Sequence, residues 1–271
     1  MLTWTELSQR PLPPAGERIA YGRDASQFGE LRMPAGEGPF AVLMLIHGGC
    51  WLSDYDYRYM SHLATAVSAE GHATWTIEYR RLGDSGGGWP QTFLDVGSAL
   101  DTLRALAPRY RLDLRRVAAA GHSAGGQLAL WLAARPRLPE DSAIRGRDPL
   151  PLCGAIGLAA ITDLAQYRIG PAGSCHASVE PLLGGTPQTV PDRYTQTSPR
   201  ARLPIGVPQW LVQGRRDAIV SAASMCAYSR AARQAGDTVS ERMFDGGHFD
   251  AASPQAPAWD AIRGAVNAAL R

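Results

Sequence analysis

The stretch VAAAGHSAGGQLALWLAA (117–134) runs from small apolar residues through a cluster of glycines into a second apolar segment, with one serine at the pivot. Its first part has the composition of a buried strand, and its last part that of a helix buried on most of its surface. A sharp strand-to-helix turn between them strains the backbone at Ser123, and Gly121 and Gly125, two residues to either side, allow the close approach this needs. The same turn sets Ser123 at a helix N-terminus, where backbone N–H groups favour negative charge. Ser123 is therefore a candidate nucleophile. The competing reading is a glycine-rich turn whose serine only caps the helix.

Outward from this stretch the chain alternates. Strands are expected over 28–34, 40–47, 73–79, 116–121, 152–160, 209–214 and 238–244, and helices over 57–70, 91–107, 124–135, 221–235 and 257–270. Segment 40–47 (FAVLMLIH) is continuously apolar, as a strand covered on both faces must be. Strands alternating with helices of this length imply crossover connections, hence a mostly parallel central sheet with helices on both faces. In such sheets the ligand site lies outside the carboxyl ends of the strands.

Three further motifs fall at those ends. LIHGGCW (45–51) follows a strand, and its two glycines let the chain fold back with amide hydrogens exposed. An oxyanion hole can be built from the amides of Gly49, Cys50 and Ala124. Asp217, in WLVQGRRDAIV (210–220), and His248, in MFDGGHFD (243–250), follow the last two strands in the order acid then base. Asp163, Asp245 and Asp250 are rival acids, but the loop after the penultimate strand lies beside the last one and favours Asp217. His47 is expected to orient the glycine loop, His62 and His72 to flank a helix, and His122 to point away from the serine. Trp51 is expected to pack in the core, with a substrate-stacking role less favoured, and His176 is a candidate pocket residue. Cys50 is not expected to act as a thiol nucleophile, because Ser123 already occupies the strained turn.

Composition narrows the function classes. The 271 residues are 45% hydrophobic, enough to bury the core of one α/β domain spanning 1–271, with 1–27 as an N-terminal extension. The 27 basic and 25 acidic residues leave a net charge of +2 with no basic stripe, which gives no support to a nucleic-acid or anionic-membrane partner. The opening residues lack the apolar core of a signal peptide, and no stretch approaches the roughly 18 apolar residues of a membrane span, so a soluble cytoplasmic protein is expected. Cys50, Cys153, Cys175 and Cys226 lie far apart with no CxxC pair. Free thiols are expected, and no metal site or cofactor.

With HGGCW, GHSAGG, GRRDAIV and GGHFD in that order, the chain resembles the α/β-hydrolase superfamily, and within it the esterase group carrying His-Gly-Gly-x-Trp, which includes kynurenine formamidase-like enzymes. The resemblance covers nearly all of 28–271 and extends to IEYRRLGDSGGGWP (77–90) and SPRARLP (198–204). Cys50 stands where one branch of the group carries a third glycine, and Gly86, Gly87 and Gly88 enlarge a loop that is simpler elsewhere. The resemblance implies an α/β-hydrolase fold with a small loop lid, for which 167–199 is the candidate, and a Ser123, Asp217, His248 triad hydrolysing a small ester through an acyl-enzyme. Arylformamidase action on N-formylkynurenine is the alternative, and a non-catalytic ligand-binding role a more distant one. A small-molecule ester or formamide is the expected partner, and a monomer or homodimer the expected assembly.

Overall fold

Residues 40–46 are apolar throughout, and the computed structural model, which describes residues 1–271, places them in the middle of an eight-stranded sheet. The strands are β1 (Glu17–Ala20), β2 (Phe28–Arg32), β3 (Phe40–Ile46), β4 (Ala73–Ile77), β5 (Leu112–His122), β6 (Gly154–Leu158), β7 (Gln209–Gly214) and β8 (Val239–Phe244). Their order across the sheet is β1-β2-β4-β3-β5-β6-β7-β8. β1 and β2 are antiparallel to each other, β2 is antiparallel to β4, and every pairing from β4 to β8 is parallel. The helices are α1 (Trp4–Ser8), α2 (Ser61–Ala69), α3 (Gln91–Asp101), α4 (Leu103–Tyr110), α5 (Ala124–Ala134), α6 (Leu164–Tyr167), α7 (Val179–Leu183), α8 (Pro191–Thr197), α9 (Ala222–Gln234) and α10 (Trp259–Ala269).

Successive side chains of a strand face opposite ways, and β3 needs apolar residues on both sides. Val42, Met44 and Ile46 enter one core with Val96 of α3, Leu128 of α5 and Tyr228 of α9, while Leu43 and Leu45 enter the other with Leu63 of α2 and Ile262 of α10. Every residue of α5 is buried, so this helix carries no polar stripe.

Several expectations need correction. β1 and α1 lie in the N-terminal extension, where no element was expected. β1 (ERIA) is mostly exposed and gains its order by pairing with β2 rather than from an apolar face. α1 is set by a capping box between Thr3 and Glu6 and by the buried Leu7. The helix expected over 91–107 is interrupted at Thr102, whose hydroxyl donates to the Ser98 carbonyl, and it resumes as far as Tyr110. Segment 167–199 is not a plain loop: it holds α7, α8 and a 3₁₀ turn over Cys175–Ser178. Finally, Cys50 and Cys175 are not free thiols but form a disulfide, with Cα atoms 5.0 Å apart across a sequence separation of 125. Cys153 and Cys226 are free.

Candidate active site

β3, β5, β7 and β8 run the same way, so the loops that follow them open onto one rim. They carry His47 to Cys50, Ser123, Asp217 and His248 respectively. Ser123 has φ 58° and ψ −118°, a conformation costing a non-glycine residue of order 1–3 kcal/mol. The turn is held by the Ser123 N–H donating to the Leu158 carbonyl (2.8 Å), and by the Ser123 carbonyl accepting from Gly126 (3.0 Å) and Gln127 (3.2 Å). A Cβ on Gly121 would strike the Gly125 carbonyl, and one on Gly125 the Ile46 and His47 carbonyls. Both glycines are steric requirements of the turn.

The loop after β3 is similarly strained, with positive φ at Gly49 (97°), Cys50 (57°) and Trp51 (57°). Gly48 N–H donates to the Tyr59 hydroxyl (2.6 Å), whereas no backbone carbonyl takes the Gly49 or Cys50 amide. The Ala124 amide opens α5, where the first turn leaves N–H groups without helical partners. His47 is buried under this loop, its Nδ1 2.8 Å from the Gly48 carbonyl and its Nε2 2.8 Å from Glu78. Glu78 also meets Arg81 at 3.0 Å, and the Tyr79 hydroxyl donates to the His47 carbonyl (2.9 Å).

Asp217 Oδ2 lies 2.8 Å from His248 Nδ1 and also accepts from Gln213, while Oδ1 accepts from the Ile219 (2.8 Å) and Val220 (2.9 Å) amides. Burial pushes the Asp217 carboxyl up, but the His248 hydrogen bond and charge and the two amides outweigh it and hold it below the usual value. An anionic Asp217 accepts a hydrogen bond from His248 Nδ1–H, which leaves Nε2 as the unprotonated nitrogen of the neutral ring. The rival acids are occupied elsewhere. Asp163 caps α6, Asp245 pairs with Arg216, and Asp250 accepts from the Gly247 and Leu2 amides.

His122 is not a bystander. Its ring lies 4.6 Å from that of His248, and burial drives its pKa down to about 3. The ring is therefore neutral; Nε2–H donates to the His248 carbonyl (3.1 Å), and Nδ1 accepts from the Tyr59 hydroxyl (3.0 Å). Since Tyr59 also accepts from Gly48, one hydroxyl connects the glycine loop, the serine turn and the histidine loop.

Ser123, His248, Gly49 and Cys50 share a cavity of about 90 Å³ whose other walls include Trp4, Tyr55, Tyr59 and Phe249. A larger trough of about 430 Å³ lies on the far side of Ile219, which lines both, and His176 and Arg200 are on its wall. The candidate residues Ser123 and His248 meet in the smaller space, so the larger one is a neighbour of the candidate site. Trp51 lines neither: it is fully buried in the core, where its indole N–H donates to Gln127 (3.2 Å), and the less favoured stacking role has no support. His176 lines the larger trough and not the Ser123 cavity, its ring tilted against that of Tyr167, while its neighbour Cys175 lines the cavity. Trp4, Tyr55 and Tyr59 went unforeseen because no motif marks them, and Phe249, although inside MFDGGHFD, was not singled out there. No group of three or more His, Cys, Asp or Glu side chains converges as metal ligands would.

A family model described as BD-FAE matches residues 30–229, most of the chain. The chain belongs to the BD-FAE family. Esterase LipC of Mycobacterium tuberculosis (strain ATCC 25618 / H37Rv) is 32% identical to this BD-FAE chain over 118 residues, covering 41% of the chain and 28% of that protein. The match thus spans well under a third of that relative's length. Among solved structures, a truncated carbohydrate esterase from gut microbiota superposes with a TM-score of 0.80 at 17% identity, covering 96% of this chain and 97% of the other. Esterase B of Lactobacillus Rhamnosis (HN001) gives 0.74 at 20% identity over 93% and 82% of the two chains. A butyrate-bound esterase of Thermogutta terrifontis gives 0.71 at 19% over 94% and 92%. These likenesses establish the α/β-hydrolase fold of the BD-FAE chain. No helix is long and apolar enough to cross a membrane.

Proposed function

We propose that this protein is a serine hydrolase that cleaves small carboxylic esters. The observation that carries the proposal is the Asp217–His248 pair, 2.8 Å apart, opening with strained Ser123 onto one cavity. His248 Nε2 takes the Ser123 proton while Asp217 holds the ring's tautomer; the serine oxygen attacks the ester carbonyl, and the oxyanion rests on the Gly49, Cys50 and Ala124 amides. His248 then protonates the departing alcohol. Water, activated by the same histidine, releases the acid from the acyl-enzyme.

The names of the relatives, esterase and carbohydrate esterase, support ester chemistry over formamide cleavage. The disulfide favours an oxidising compartment over the cytoplasm expected from composition, since thiol-reducing systems keep cytosolic cysteines apart. The test is hydrolysis of p-nitrophenyl acetate and of N-formylkynurenine by the wild type and by Ser123→Ala. Ester turnover is expected to fall by at least about 10⁴-fold in the variant. Formamide turnover exceeding ester turnover would replace the esterase reading with the arylformamidase one. No Ser123-dependent turnover of either would reject both.

A further inference from the structure

The Ser123 cavity holds few atoms. At about 90 Å³ it accommodates about three water-sized groups, taking roughly 30 Å³ for each. That is the size of an acetyl group: a methyl, a carbonyl carbon and an oxygen. The wall that stops it comes from the N-terminal segment. Trp4 stands edge-on to Tyr55 (4.9 Å between ring centroids) and Tyr59 (5.4 Å), and tilts against Phe249 (5.9 Å), the residue after His248. A second space of about 200 Å³ is lined by Trp4, Tyr55 and Tyr59 again, together with Leu12, Ser8 and the charged Asp54, Asp56 and Arg58. The two spaces are separated by the same three aromatic side chains, and Trp4 is the only one of them supplied by the N-terminal segment.

We infer that Trp4 sets the acyl-chain limit of the site, restricting it to acetyl-sized groups by closing off the second space. The inference rests on the esterase reading above. The indole is pinned there from several sides. Leu7 is buried in the core beneath α1, the Leu2 amide donates to Asp250 (3.2 Å), and Arg10 donates to Ser253 (2.7 Å) and Gln255 (2.7 Å). The three hydrogen-bonding partners, Asp250, Ser253 and Gln255, all lie in the stretch just after His248, so these bonds tie the strap to the histidine loop. The BD-FAE match begins at residue 30, so the wall is contributed by a segment outside the matched region. Replacing the indole with a methyl group joins the two spaces into one able to take a longer acyl chain.

The experiment compares kcat/KM for p-nitrophenyl acetate and p-nitrophenyl hexanoate in the wild type, Trp4→Ala and Trp4→Phe. The hexanoate-to-acetate ratio is expected to rise about tenfold or more in Trp4→Ala, the scale on which apolar pockets discriminate a methylene or two, and much less in Trp4→Phe. A ratio unchanged within about twofold in a folded Trp4→Ala protein overturns the inference. Calorimetric titration with hexanoate and acetate anions reads the wall without turnover: Trp4→Ala is expected to bind hexanoate at least about tenfold more tightly than the wild type does. Equal affinities again overturn it. Loss of all Ser123-dependent turnover with the calorimetric difference intact refutes the esterase reading and leaves Trp4 as the wall.

Discussion

Tyr59→Phe removes one oxygen from the buried junction beneath the site, and its cost can be worked from the partners. The Tyr59 hydroxyl accepts from the Gly48 amide at 2.6 Å and donates to His122 Nδ1 at 3.0 Å. Burial raises its pKa, which keeps the donating proton on the oxygen. Deleting it leaves a buried donor and a buried acceptor without partners, each worth about 1–3 kcal/mol. Because the two share one network and can relax together, a loss of about 2–4 kcal/mol is expected. For a chain of this size that corresponds to a Tm lower by about 4–16 °C. The assay is urea unfolding with Tyr55→Phe as the control, since Tyr55 lines the same cavity while its hydroxyl bonds no protein group. The junction also sets the Gly49 and Cys50 amides relative to Ser123, so kcat should fall by about tenfold or more, by a larger factor than KM changes. A Tyr59→Phe protein within about 0.5 kcal/mol of the wild type would refute the reasoning, because so small a change is typical of a surface substitution and not of one that strands two buried groups.

Asp217→Asn is expected to lower kcat by about 10³–10⁴ with little change in fold, because the amide presents the wrong partner to His248 Nδ1; steady-state kinetics on p-nitrophenyl acetate checks this. Stability should rise with pH between about 3 and 6.5, because His122 stays neutral in the fold down to about 3 while the unfolded chain's histidine takes up a proton from 6.5 downward. The slope approaches about 1.4 kcal/mol per pH unit within that window, and urea titrations of His122→Gln should lack it. Asp217 adds a separate term of the same sign, its stabilisation lost only as pH falls through a value below 3.8. Cys175→Ser should cost about 2–4 kcal/mol, since the bond it removes closes a separation of 125 residues; unfolding with and without reductant tests it, and a wild type indifferent to reductant contradicts the bond.

The parallel part of the fold was legible because its strands are covered on both faces and say so in their composition: β3 and β5 read as apolar runs whatever their neighbours. The candidate residues were legible for a related reason. Ser123, Asp217 and His248 each follow a parallel strand at its carboxyl end, the last of them the partly exposed edge strand β8, and the glycines around Ser123 answer a steric demand that leaves a mark in the chain. Choosing Asp217 over Asp163, Asp245 and Asp250 needed only the adjacency of the last two strands. What could not be read arrives by long-range docking. β1 is held by its partner and not by its own pattern, Trp4 and Tyr59 reach the cavity from segments without a motif, and Cys175 meets Cys50 because 167–199 folds back over the rim. For His122 the turn's geometry gives the direction, away from the serine, and only the packed structure shows that this direction leads to His248.

The Cys50–Cys175 bond ties the backbone carrying the Gly49 and Cys50 amides to the segment lying over the rim. Losing either cysteine alone leaves a lone thiol in the wall of the Ser123 cavity, open to oxidation. Losing both restores a quiet surface. The two positions therefore behave as one heritable character, and among BD-FAE relatives of this chain they should be kept together or replaced together, with intermediates carrying a single cysteine rare.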